Sequence, residues 1–209
     1  MTAHTPPALD RPVILRTGAE APPATLIYLE DATEPGLWAR LTAHLHHRFD
    51  GQFSQIIYRH HHSTREAGAR HECFGPELDV VLDTAAGARV LIAHSRTASA
   101  ALAWTGNSQR RTRMLTALVL FAPVAEEVWI CGDDELHRLR MVPTWVVTDR
   151  TTGIDNQALT AQWIQMLWAD HLAMSSGGHR FPSIDPVRAA EPTLAALRVA
   201  YDTQLREGA

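Results

Sequence analysis

Short apolar runs alternate along the chain with longer stretches in which apolar residues recur every three or four positions. Ala24–Leu29 (ATLIYL) is an uninterrupted apolar run, the pattern of a strand buried on both faces. Between Pro35 and His46, the residues Leu37, Trp38, Leu41 and Leu45 fall on one side of a 3.6-residue period and predict a helix. Gln55–Arg59, Val90–Ala93, Leu115–Phe121 and Thr144–Thr148 predict further strands, with a short one near His171–Met174. Helices are predicted at Pro76–Ala85, where Leu78, Val81 and Leu82 repeat, and at Ala98–Trp104, Asn156–Ala169 and Val187–Arg206. Residues 1–23 are rich in Pro and Ala and predict a loosely structured lead-in with one short strand at Val13–Leu15. Strand-then-helix repetition with short connections predicts an α/β domain over residues 24–209, a mostly parallel sheet with helices on both faces.

Composition narrows the chemistry. A length of 209 residues fits one domain. A net charge of -4 gives no reason to expect a nucleic-acid or anionic-membrane partner. Every one of the 19 basic residues is arginine, so Schiff-base and lysine-base mechanisms are excluded. Cys73 and Cys131 lack CxxC spacing and form no disulfide framework, which points to a reducing, cytoplasmic compartment. The first residues carry no basic start followed by an apolar run, and no stretch is long and apolar enough for membrane insertion.

The segment Val90-Leu91-Ile92-Ala93-His94-Ser95-Arg96-Thr97-Ala98 runs from an apolar strand into a polar residue, Ser95, and on into a helix rich in small side chains. A serine there suits a nucleophile held on a strained strand-to-helix turn, with the Arg96 backbone N–H as one oxyanion donor. A serine at such a junction also suits an ordinary helix N-cap.

These residues resemble the nucleophile elbow of the α/β-hydrolase superfamily, and the resemblance spans roughly residues 24–200. The family pattern G-x-S-x-G stands here as Ala93-His94-Ser95-Arg96-Thr97, so both glycines are replaced, and the β-branched Thr97 is expected to crowd the turn. Downstream, Ser175-Ser176-Gly177-Gly178-His179-Arg180-Phe181-Pro182 resembles the G-x-G-H-F-P segment that bears the catalytic base, which implies that His179 takes the Ser95 proton. The segments LIYLEDATEPGLWARLTAHL and VPTWVVTDRTTGIDNQAL resemble the oxyanion-bearing and acid-bearing loops. Family order places the acid after TWVVT, where Asp155 is preferred because it follows the Thr-Thr-Gly bend, with Asp149 beside it and Glu126 as a third candidate. A second oxyanion amide is expected near Glu30 or Asp31, whose carboxylates would repel an oxyanion unless they point away. The stretch between Pro123 and Val142 leaves no room for a cap domain, which implies an open site for a small or carrier-bound acyl substrate.

The resemblance therefore implies a serine hydrolase acting on a carboxylic ester or thioester, without a cofactor. The alternative is a catalytically impaired relative that binds a ligand or a protein; replacement of both elbow glycines and the acidic loop favour it. Homo-oligomerisation is compatible with either. His60-His61-His62, near Arg59 and His71, reads as a surface loop rather than a metal site, because neighbours on an extended segment point to opposite faces. Trp163, Met166, Leu167 and Trp168 form a stripe at helical spacing and read as core packing.

Overall fold

The apolar runs become the inner strands of a seven-stranded sheet in the computed structural model, which describes residues 12–60, 74–123, 132–149, 154–174 and 181–207. In chain order the elements are β1 (Val13–Thr17), β2 (Ala24–Asp31), α1 (Ala39–Arg48), β3 (Ser54–His60), α2 (Pro76–Thr84), β4 (Ala88–His94), α3 (Arg96–Gly106) and α4 (Gln109–Met114). They continue as β5 (Ala117–Phe121), α5 (Asp133–Arg140), β6 (Thr144–Asp149), α6 (Ile154–Leu167), β7 (Asp170–Met174), α7 (Phe181–Ile184) and α8 (Pro186–Glu207). The strand order is β1-β3-β2-β4-β5-β6-β7. Only β1 runs antiparallel to its neighbour. The expected parallel α/β sheet is present, and the connection from β5 to β6 carries α5 with no cap domain among the described residues.

Strand alternation sorts the core into two layers. Ile27, Leu29, Leu91, Ala93, Leu118 and Leu120 point to the layer that holds Leu78 and Val81 of α2, Ala98 and Leu102 of α3, and Trp163 of α6. Leu26, Tyr28, Val90, Ile92, Val119 and Phe121 point to the layer under α1 and α8, with Leu41, Leu45, Ala189 and Leu197. No helix among the described residues is long and apolar enough to cross a membrane.

The structure departs from the reading at α4 and Trp168. The short strand expected at Val13–Leu15 is present as β1, which extends to Thr17 and pairs with β3 from Val13↔Arg59 to Thr17↔Gln55. As an edge strand it is exposed on both faces and so shows no apolar–polar alternation. α4 has no apolar period to announce it; Ser108 caps it by accepting from the Arg111 N–H, and Arg111 donates twice to Asp79 of α2, at 2.8 and 2.7 Å. Trp163 and Leu167 are buried as expected, but Trp168 is 74% exposed. It follows the last residue of α6 at φ 54, with the Arg140 guanidinium 4.5 Å from its ring centroid.

A buried network holds α1 over the sheet: the Tyr28 hydroxyl donates to Gln55 Oε1 at 2.9 Å, and Gln55 Nε2 donates to the Thr42 carbonyl at 3.0 Å. Burial raises the pKa of Tyr28. Burial, reinforced by the Glu77 carboxylate, pushes Tyr58 up to about 12. Burial also raises Tyr201, the third tyrosine of the chain. A tyrosine raised in the folded state stays protonated while its unfolded counterpart ionises, so its contribution is complete below the unfolded value and is lost above it. With no lysine to titrate beside them, stability should fall as pH rises from about 10 towards 12. Denaturant unfolding across that window, with ionisation followed by ultraviolet absorbance, checks this; Tyr58→Phe should flatten the decline, and an unchanged slope would contradict it.

Candidate functional site

From β2 the chain moves outward to β3 and then crosses back to β4 on β2's other side. The connections leaving the carboxyl ends of β2 and β4 therefore diverge, α1 to one layer and α3 to the other. Such a reversal of strand order opens a crevice above the sheet, the usual place for a ligand in an open α/β fold. Ser95 stands at this crevice, the single residue between β4 and α3.

Its backbone has φ 54 and ψ -126. For a residue with a Cβ this region costs about 1–3 kcal/mol and persists only where the surroundings enforce it. The Ser95 N–H donates to the Phe121 carbonyl at 2.9 Å, and its carbonyl accepts from the Ala98 N–H at 3.0 Å. The side chain makes no capping bond to the helix, so the N-cap reading does not hold. The hydroxyl belongs to a half-buried residue and precedes the first amide of α3, that of Arg96, where the helix dipole favours negative charge. Thr97 does not crowd the turn as expected. It is 3% exposed, and its hydroxyl accepts from the His94 N–H at 3.1 Å and donates to the His94 carbonyl at 2.6 Å. Ala93 is fully buried against the α3 side of the sheet.

Both carboxylates of the acidic loop are held by hydrogen bonds. Glu30 is buried, and its carboxylate accepts from Arg59 Nε at 2.7 Å and from the Gly36 N–H at 2.8 Å. The Asp31 carboxylate accepts from the Thr33 N–H and hydroxyl, both at 2.8 Å. Each charge is thus committed to local donors. The backbone separates the two positions further: the Ala32 N–H donates to His60 of β3 at 2.8 Å, and amides alternate sides along a strand. The Glu30 amide accordingly faces β3, whereas that of Asp31 lies on the opposite side of β2.

Trp38 closes the space between these segments. Sequence periodicity assigned it to a helix, but α1 starts one residue later. Its indole N–H donates to the Leu29 carbonyl at 2.9 Å, and its ring centroid lies 5.4 Å from Tyr28, 5.7 Å from Phe121 and 6.3 Å from His94. Neither this anchor nor the Thr97 bonds had a sequence signal beyond residue type.

On the same rim, a cavity of about 10 Å³ is lined by His94, Phe121, Ala122, Val147, Thr148, Phe181 and Pro182. It links the residue before Ser95 to the first residues of α7. His179, Glu126, Cys73, Cys131, His61, His62 and His71 lie outside the described residues. Of the two preferred acids, Asp149 is the last residue of β6, paired with Met174 of β7, and Asp155 is the second residue of α6. His60 is buried against Phe74, with ring centroids 4.6 Å apart, and no metal-binding group occurs among the described residues.

No protein-family model and no curated protein matches the chain. Solved structures do. The chain is similar to the thioesterase domain from the curacin biosynthetic pathway, at 15% identity over 90% of this chain and 94% of that one, with a TM-score of 0.59. It is similar to a predicted CIB-like hydrolase from Thermoplasma acidophilum, at 11% identity over 91% and 95% of the two chains, with a TM-score of 0.63. It is also similar to the enol-lactonase from Burkholderia xenovorans LB400, at 14% identity over 90% and 96%, with a TM-score of 0.59. At these identities the likeness is one of backbone architecture, and it extends over nearly the full length of each pair.

Proposed function

Because the chain has the α/β-hydrolase fold, we propose that it is a serine hydrolase that cleaves a carboxylic ester or thioester. One observation carries the reading: Ser95 is held at φ 54 and ψ -126 between strand and helix, at the crevice, with a side chain that caps nothing. Strain kept at a polar residue in a binding crevice is the signature of a nucleophile turned out of the sheet.

In this reading Ser95 Oγ attacks the acyl carbon while His179 accepts its proton. The Arg96 and Asp31 amides receive the charge that develops on the carbonyl oxygen. His179 then returns the proton to the departing alcohol or thiol, leaving the acyl group on Ser95. A water molecule, deprotonated by His179, hydrolyses that intermediate and frees the acid. Asp149 or Asp155 orients the imidazole. Chain order supports the pairing: in the sequence His179 stands two residues before Phe181, and Phe181 lines the cavity shared with His94. With no cap domain among the described residues, the site suits a small acyl ester, or an acyl group presented on a carrier.

Turnover of p-nitrophenyl acetate and an acetyl thioester tests this. Asp149→Asn and Asp155→Asn separate the acids: one of the two should lower kcat about a hundredfold or more, while the other stays near wild type. Folded protein that hydrolyses no ester or thioester would return the chain to the non-catalytic, ligand-binding reading.

A further inference from the structure

The pairing of β2 with β4 ends at Tyr28↔Ile92, two residues short of the end of β4. Beyond it the strands diverge to make the crevice, and the divergence creates a local problem. The Ser95 N–H bonds towards β5, so His94, of opposite parity, faces the side where β2 no longer runs alongside. His94 is 3% exposed. Its main-chain N–H and C=O cannot go to water, and a buried peptide group without partners costs as much as a lost hydrogen bond. One hydroxyl meets both, that of Thr97 at 3.1 and 2.6 Å. Across the gap the Leu29 carbonyl is met in the same manner by the Trp38 indole.

The Thr97 bonds also close a ring around Ser95, from the residue before it to the second residue after it. Resting on the serine-hydrolase reading of Ser95, we propose that Thr97 is the positioning residue of the turn. Its hydroxyl fixes the His94 peptide groups and thereby the directions of Ser95 Oγ and of the first amide of α3. A glycine at this place would admit the turn through backbone freedom; here a side chain enforces it. The residue type is decisive, because valine has threonine's shape without its donor and acceptor, and serine has the hydroxyl without the branch.

Fluorophosphonate labelling of wild type, Thr97→Val and Thr97→Ser, resolved into maximal rate and half-saturating probe concentration, tests the proposal. In Thr97→Val the maximal rate should fall about a hundredfold, as expected of a misplaced nucleophile, with the half-saturating concentration unchanged within about threefold. Thr97→Ser should restore the rate to within about threefold of wild type. Exchange of the His94 amide should be at least about tenfold faster in Thr97→Val, with that of Ile92 unaltered. A Thr97→Val protein that labels as fast as wild type overturns the proposal, as does a Thr97→Ser protein as slow as Thr97→Val. Wild-type protein that takes no label overturns the hydrolase reading, and with it any role in positioning a nucleophile. The exchange comparison then decides the hydroxyl bonds alone, and equal His94 exchange in Thr97→Val and wild type would overturn those too.

Discussion

Ser95→Ala lowers ester turnover by about 10⁴-fold or more, and leaves the unfolding midpoint within the range of a neutral surface substitution. The activity loss follows from removing the only hydroxyl on the turn that can form the acyl intermediate. The unchanged stability follows from geometry: the Ser95 side chain caps no helix amide, and the two bonds Ser95 itself makes in the turn use its backbone N–H and C=O. Alanine has a Cβ like serine, so the strain at φ 54 is the same in both. His179→Gln, and the double variant, should fall to the same residual rate, because members of one proton-transfer unit do not contribute additively. A Ser95→Ala protein that retains a tenth of wild-type turnover would contradict the assignment. So would a large loss of stability, which would give Ser95 a structural duty that its bonds do not suggest.

Trp38→Ala destabilises the fold by about 4 kcal/mol, in the range of large-to-small changes at a fully buried aromatic. The ring is 0% exposed and bridges Tyr28 of β2, His94 of β4 and Phe121 of β5. Its removal leaves a cavity directly beneath the crevice and orphans the Leu29 carbonyl. Trp38→Phe keeps most of the volume and loses only the indole donor, so it should cost about 1 kcal/mol beyond its packing change. Chemical denaturation measures both. Activity should follow stability in Trp38→Ala, since the same side chain ties the segment bearing Asp31 to the strand bearing Ser95. A Trp38→Ala protein within about 1 kcal/mol of wild type would show that the loop is held by other contacts.

The parts of the fold legible in the sequence are those in which one residue type answers to one local force. Val90–Ala93 reads as a buried strand because each of its four side chains meets an apolar layer, on whichever face it points. Leu78, Val81 and Leu82 announced α2 because they fall on one face of the helix, and all three are buried. Ser95 was legible because a strand, a polar residue and a small-residue helix follow one another without a gap. What stayed hidden depends on partners far along the chain. Glu30 reads as a charge near an oxyanion until the fold brings Arg59, 29 residues away, into contact with it. Thr97 reads as a bulky misfit until the divergence of two strands leaves a peptide group for its hydroxyl. α4 is polar except for Met114, and the Asp79–Arg111 bonds that tie it to α2 join residues 32 positions apart. Trp168 obeyed the helical period and is nonetheless exposed, because α6 ends at the residue before it.

The central claim has a direct chemical test. Trypsin cleaves after Arg89 and Arg96, releasing Val90–Arg96, a peptide in which Ser95 is the single hydroxyl-bearing residue. After reaction of the folded protein with a fluorophosphonate, peptide mass spectrometry should find one phosphonyl adduct, on that peptide, and none in protein unfolded beforehand. An adduct on Ser175 or Ser176 instead, or a folded protein that remains unmodified throughout, would contradict the account.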